Sequence, residues 1–375
     1  MEAIKTLFLD AILKDGYLWF FENRIQALCK MDVNSFKIEV ISVYRGEKRF
    51  YVRKLFEFQN NFYFVSGDSV RVLIYDGNLQ KDEQSFFLQE PLLKADEKSY
   101  ISFKENNCIY FLPLSMNDRM VCFDMSTQKY SDMPLCDSSI KEEIGDLQPD
   151  IGYPCFYEGD IWFPIKGTAF YVRYRLGEKK VDLFRTADQE IRISGICFDG
   201  ENIWLTQEDS SDVICVGKRR IKIPAGQPYS WLHNTDNYVI VSIRFGDQIL
   251  LIDKETFEVS MISLPLLNEG EKQGDKHNDI VNCCESDESV FLLQHRICDL
   301  IILCKKILKI RKVTPQCENY VETHFEGKEK YVEEYEDINI EHLIQLSGRK
   351  TDLSVSQENE RDSGEAIWKH VRRNG

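Results

Sequence analysis

One phrase recurs seven times along this chain. An acidic or Asn/Gly turn is followed by a short apolar strand centred on a bulky residue, and a second turn comes at nearly fixed distance. The bulky centres are Trp19, Tyr63, Tyr110, Trp162, Trp204, Val239 and Phe291, separated by 44, 47, 52, 42, 35 and 52 residues. A period of this size marks one supersecondary unit that cannot bury its apolar face alone and must stack on its neighbours. The recurrence therefore restricts the chain to a repeat architecture.

The turns show what the unit is made of. Before the centres stand Asp15-Gly16, Asn60-Asn61, Asn106-Asn107, Gly159-Asp160, Asp199-Gly200, Asp236-Asn237 and Asp287-Glu288. These residue types tolerate the positive φ of tight hairpins. Thirteen or fourteen residues after their centres come Asp32, Asp76, Asp124 and Asp253, three of them opening Asp-x-x-Ser/Thr to Ser35, Thr127 and Thr256. Gly217, Lys305 and the Arg175-Leu176-Gly177 stretch hold the equivalent places elsewhere. An Asp that accepts backbone N–H bonds two residues on explains the preference. The strands on either side alternate in polarity, as in Phe257, Val259 and Ile262.

Each unit thus reads as four strands, A to D, with short A–B and C–D hairpins. The expectation is an all-β fold: a seven-bladed β-propeller of four-stranded antiparallel blades, with a short C-terminal helical tail. An irregular β-sandwich would not hold the offset through seven units. On its turn-plus-aromatic phrases, such as Asp199 to Trp204, and its Asp-x-x-Ser/Thr turns, the chain resembles kelch-type and related seven-bladed β-propeller repeat proteins. The kelch Gly-Gly pair is missing from every blade, so the resemblance implies a fold and no particular activity.

The propeller is expected over residues 1–315. Residues 316–347 read as an acidic extension packing on it, and 348–375 as a flexible linker and a short basic helix. That helix runs from Ser363 to Arg373, with Ile367, Trp368 and Val371 as an apolar stripe suited to docking on the protein itself or on a partner.

Composition narrows the function. A formal charge of −15, from 62 acids and 47 bases, repels phosphate backbones and argues against nucleic-acid binding. No apolar run approaches the roughly 20 residues that span a bilayer, and no signal-peptide pattern opens the chain; a cytoplasmic protein is expected. Most of the 12 cysteines, Cys108, Cys122, Cys197, Cys215 and Cys304 among them, sit at apolar strand positions without metal-ligand spacing. No disulfide, metal or cofactor is expected.

The B–C and D–A connections vary in length and charge and gather on one face of a propeller, the usual binding face. Five residues past each bulky centre, at the B–C bend, stand Arg24, Asp68, Ser115, Gly167, Asp209, Arg244 and Arg296. Arg24, Arg244 and Arg296 come from blades that are contiguous once the ring closes, and such a cluster holds a carboxylate or phosphate by bidentate bonds. His295 lies beside Arg296, and His233 and Trp231 lie on the sixth A strand. Asp68, Asp209, His295, His233 and Trp231 complete the candidate ligand-binding set. No nucleophile–base pair, phosphate loop or hydrolase motif is legible, and catalytic residues stay unassigned. Two readings follow. One is a scaffold that binds a protein or peptide through the variable face. The other is a lyase or hydrolase acting on an anionic small molecule or sugar at the channel mouth.

Overall fold

The structure is a computed structural model and describes residues 1–46, 50–67, 69–78, 86–91, 100–116, 118–135, 140, 150–223, 229–243, 248–265, 280–294 and 299–318. The acidic extension (from residue 319), the linker and the C-terminal helix lie outside the described residues.

Among the described residues the chain forms seven antiparallel four-stranded blades and two short extra strands. After β1 (Glu2–Ala3), blade 1 holds β2 (Ala11–Lys14), β3 (Tyr17–Glu22), β4 (Ala27–Asp32) and β5 (Lys37–Val43). Blade 2 holds β6 (Val52–Phe58), β7 (Asn61–Ser66), β8 (Val72–Tyr75) and β9 (Phe86–Gln89). Blade 3 holds β10 (Tyr100–Glu105), β11 (Cys108–Pro113), β12 (Arg119–Asp124) and β13 (Lys129–Pro134). Blade 4 holds β14 (Cys155–Tyr157), β15 (Asp160–Pro164), β16 (Phe170–Arg175) and β17 (Lys180–Arg185). Blade 5 holds β18 (Ile193–Phe198), β19 (Ile203–Gln207), β20 (Val213–Cys215) and β21 (Arg219–Ile221). Blade 6 holds β22 (Tyr229–Asn234), β23 (Tyr238–Ile243), β24 (Gln248–Asp253) and β25 (Val259–Ser263). Blade 7 holds β26 (Ile280–Glu285), β27 (Ser289–Gln294), β28 (Leu300–Cys304) and β29 (Lys309–Val313), and β30 (Gln316–Cys317) ends the series.

The hairpins form where turn chemistry requires them. Asp15 and Gly16 both have positive φ, at 53° and 79°, as a two-residue primed turn demands. In blades 2 and 4 the positive-φ pairs are Gln59-Asn60 and Glu158-Gly159, one residue earlier than the Asn60-Asn61 and Gly159-Asp160 pairs read from sequence. In the C–D turns, Asp32, Asp124 and Asp253 each accept the amides two and three residues on, at 2.7–3.0 Å. Those bonds hold the Asp32 and Asp253 carboxyls below the ordinary value of 3.8.

The recurrent bulky residue is the inter-blade key. Trp19 stacks on Phe62 of blade 2 at 4.9 Å, Tyr63 meets Phe123 of blade 3 at 6.3 Å, Trp162 meets Phe198 of blade 5 at 5.1 Å, and Trp204 meets Phe257 of blade 6 at 5.6 Å. Tyr63, Trp162, Trp204, Val239 and Phe291 are buried, whereas Trp19 and Tyr110 are half-buried. Burying an aromatic of this size is worth about 2–3 kcal/mol, so the interfaces between blades form the core.

Closure is made at the outer edge of blade 1. There β30 runs parallel to β5 and antiparallel to β1. Ile4 donates its amide to the Pro315 carbonyl at 2.9 Å, and Gln316 donates to the Phe36 carbonyl at 3.0 Å. The strand before blade 1 and the strand after blade 7 thereby lock the first blade to the last.

Candidate functional site

The A strands stand at the inner edge of every sheet and meet one another at the axis. Their pairing with the B strands defines levels around the channel. One level holds Lys54 opposite Val65, Ile101 opposite Leu112, Gly195 opposite Thr206, Leu232 opposite Val241 and Asn282 opposite Leu293. Asp10, just before β2, and Tyr153, two residues before β14, continue it. In four blades the register shifts next to this level, between Val52/Lys54, Ile193/Gly195, Tyr229/Trp231 and Ile280/Asn282. Bulges of this kind re-aim side chains beside binding sites.

A polar cluster drawn from three blades lies on one side. The Asp10 carboxylate accepts the Leu55 amide at 2.8 Å and the Asn282 side-chain amide, with the Lys54 ammonium 3.7 Å away. Burial pushes the Asp10 carboxyl up, and Lys54 and these hydrogen bonds oppose the shift. Beside it, burial holds the Cys283 thiol up at about 12, and Cys284 is raised in the same way. The Cys284 Sγ donates to the Ala11 carbonyl at 3.0 Å. Both sulfurs stay protonated at neutral pH and are poor nucleophiles.

An aromatic run crosses from blade 4 to blade 6 and ends at His233, which feels the charge of Lys54. Gly152 lets two blades close in, since a Cβ there would lie 2.4 Å from the Ser194 carbonyl oxygen. Tyr153 therefore pairs with the innermost strand of blade 5, donating to Ser194 at 3.0 Å and accepting from Ile196 at 3.1 Å. Across Gly195 its ring reaches Trp231 of blade 6 at 4.0 Å, and Trp231 lies parallel to His233 at 6.5 Å.

His233 donates to the Ile280 carbonyl, which leaves Nε2 buried without a partner among the described residues. Burial, helped by the Lys54 charge, lowers its pKa from 6.5 to about 4. The ring is neutral at physiological pH and carries a free Nε2 lone pair. Among the described residues no three His, Cys, Asp or Glu side chains are placed to hold a metal ion.

Of the candidates named from sequence, the structure brings Trp231 and His233 together. Arg24 lies in the B–C connection of blade 1, its Nε 2.9 Å from Oε1 of the fully buried Glu22, and it donates to the Lys5 carbonyl. Glu22 also accepts the amides of Leu7, Arg24 and Ile25, so this pair organises its own loop. Asp209 is exposed between β19 and β20, 3.9 Å from Arg192. Asp68, Arg244, His295 and Arg296 lie outside the described residues. Asp10, Lys54, Tyr153 and Asn282 were not among the candidates. Their signal is a polar or aromatic residue at one aligned level of the inner strands, as in Lys54 of Val-Arg-Lys-Leu-Phe.

No family model matches the chain, and no curated protein sequence does. Solved structures do share its fold. A catalytically inactive variant of virginiamycin B lyase from Staphylococcus aureus with quinupristin is 12% identical, over 80% of this chain and 95% of that one, at a TM-score of 0.57. YCF48 from Cyanidioschyzon merolae is 9% identical, over 82% and 98%, at 0.56. YCF48 bound to D1 peptide is 12% identical, over 84% and 94%, at 0.55. At these identities the likeness is one of fold: the chain is a seven-bladed β-propeller.

Proposed function

We propose that this protein is a binding propeller that takes a peptide or similar extended ligand over its D–A and B–C face, with the channel mouth as its specificity pocket. One observation carries the reading: Asp10, Lys54 and Asn282 from three blades meet at one level of the inner strands, and Tyr153 at that level stacks on Trp231, one position from it on blade 6. Together they offer an ammonium and an amide as donors, a carboxylate as acceptor, and two aromatic faces. Binding is favoured over catalysis because the neighbouring thiols are held protonated and, among the described residues, no nucleophile is hydrogen-bonded to His233. The peptide-bound YCF48 structure, of like fold, supports a protein or peptide partner by analogy. Arg24, Arg244, Arg296, Asp68, Asp209 and His295 belong in this reading to the rim, by their place in the B–C connections. The cysteine-rich apolar strands suit a reducing compartment, the cytoplasm.

The neutral ring of His233 near Lys54 favours a second reading, a lyase acting at the same mouth, and the lyase among the structures of like fold supports it by analogy. Selection from a random-peptide display library tests the first. Selected peptides should lose at least ~tenfold in affinity for folded Lys54→Met and Trp231→Ala variants, the usual effect of removing an anchor. Peptides indifferent to both substitutions would exclude the channel mouth.

A further inference from the structure

The outer rim carries an independent feature. In four of the six blades that end on their own fourth strand, that outermost strand bears charge: Lys129 and Asp132 on β13, Lys180, Asp182 and Arg185 on β17, Arg219 and Arg220 on β21, and Lys309, Arg311 and Lys312 on β29, whereas β9 (Phe-Phe-Leu-Gln) and β25 do not. Charged outer strands discourage pairing with another chain. β25, Val-Ser-Met-Ile-Ser, has no charge and no proline. Its neighbour β21 has only three residues, and that shortening uncovers one flank of β25. Val259 and Met261 are accordingly 36% and 48% exposed, while Ile262, on the opposite face, packs into the blade 6–7 core.

The backbone of this edge is also open. Asp253 donates to the Glu258 carbonyl at 3.0 Å, and the register pairs Leu251 with Ser260 and Ile249 with Ile262. Antiparallel bonding alternates, so Ser260 and Ile262 bond inward to β24, and the N–H and C=O groups of Val259, Met261 and Ser263 point away from the sheet.

Between β21 and β25 lies a groove of about 500 Å³, lined by Arg219, Arg220, Lys222, Phe257, Glu258 and Val259 among others. Its basic wall is unusual on a chain of charge −15, with four bases among residues 218–222. Asp212 holds Arg220 at 2.9 Å and Glu201 holds Lys218 at 2.7 Å. Arg219 and Lys222 have no carboxylate partner among the described residues.

We propose that the β25 edge and this groove form a docking site for an acidic, extended segment of a partner protein, which adds a strand to blade 6. Its backbone pairs with Val259, Met261 and Ser263. An apolar side chain covers Val259 and Met261, and carboxylates meet Arg219 and Lys222. Main-chain bonds supply affinity and the basic wall supplies sign selectivity, as in other strand-addition sites. Glu258 on the same wall disfavours a uniformly acidic ligand and favours one that mixes acidic and apolar residues at the alternate positions facing the groove.

The test uses the full chain and two fluorescent capped octapeptides, Thr-Glu-Thr-Val-Thr-Glu-Thr-Val (the Glu/Val peptide) and the same sequence with Lys for Glu, which present charged and apolar residues on one face, read by anisotropy. The Glu/Val peptide should bind at least ~tenfold tighter and weaken as salt rises. The double reversal Arg219→Glu/Lys222→Glu should invert the preference. Met261→Pro, which removes an outward N–H without touching the β24–β25 ladder, should abolish binding, whereas Met261→Ala should retain part of it. Met261→Glu, which keeps the backbone and repels the ligand, replaces the proline variant if that one unfolds. Equal binding of the two peptides, no binding of either, or indifference to both Met261→Pro and Met261→Glu would overturn the proposal. So would a concentration-dependent dimer of the wild type that Met261→Pro dissolves, which would assign the edge to a second copy of this chain.

Discussion

A histidine whose pKa falls from 6.5 to about 4 on folding ties stability to pH in a definite sense. The unfolded chain binds a proton below 6.5 that the folded ring refuses until about 4, so the contribution is full above 6.5 and is lost as pH falls through this window. Across it His233 should account for roughly 3 kcal/mol of acid destabilisation. Urea midpoints at pH 7 and 4.5 check this: His233→Gln should flatten the difference between them, and equal slopes for variant and wild type would show that the ring titrates normally. The residue scale is also where the site was least legible. Trp231 and His233 stand out in sequence because they are rare residue types. Asp10, Lys54 and Asn282 are ordinary residues whose meaning depends on three blades meeting at the axis, more than 270 positions apart at the extreme. Arg24 shows the converse: the B–C bend column makes it one of three arginines of a ligand cluster, and in the structure buried Glu22 engages its guanidinium.

At the scale of the element, local turn chemistry and the tertiary key are coupled, and blade 5 shows how. Asp199 accepts the Glu201 and Asn202 amides at 2.9 and 2.6 Å, closing the A–B turn, and its other oxygen accepts the indole N–H of fully buried Trp204 at 2.7 Å. Burial acts to raise the Asp199 pKa, but the Asn202, Trp204 and Glu201 bonds outweigh it and leave the carboxyl below 3.8. A depressed carboxyl stabilises the fold above its unfolded pKa, and that contribution is lost as pH falls through the folded value. Asp199→Ala should cost about 2 kcal/mol at pH 7, chiefly by orphaning the indole N–H. Chemical denaturation measures it, and a loss that is just as large near pH 2 would separate the effect from the carboxylate. Elements of this kind are readable in advance because their cause is local: an Asx acceptor, a positive φ, an apolar alternation. The one-residue displacement at Gln59-Asn60 and Glu158-Gly159 arises because the strand register, set by the buried centres Tyr63 and Trp162, decides which two residues of an Asn- or Gly-bearing stretch take positive φ.

For the whole molecule, what matters is that a ring has no end blades. The blades pack their bulky keys against their neighbours, so a stack opened at one seam would expose two apolar faces, the liability that capping repeats cover in open arrays. The seam between blades 7 and 1 is closed at two radii: at the axis by Asn282 on Asp10 and Cys284 on the Ala11 carbonyl, and at the rim by β30 between β5 and β1. The inner closure also builds the proposed pocket, so ring integrity and ligand affinity should be linked through Asp10. The rim clasp is separable from that pocket and gives the cleaner test. Gln316→Pro removes the amide that bonds Phe36 at 3.0 Å, and Cys317→Asp buries a charge at a site 3% exposed beside Cys29. An unpaired charge in such a place costs several kcal/mol, enough to open a seam that two short strands hold. Amide hydrogen exchange should then quicken in β5, β29 and β2 while β15 and β19 keep their protection, because blades 4 and 5 lie across the ring from the break. Uniform loss of protection in all seven blades would mean that the propeller unfolds as one unit and that the clasp adds stability without defining a seam.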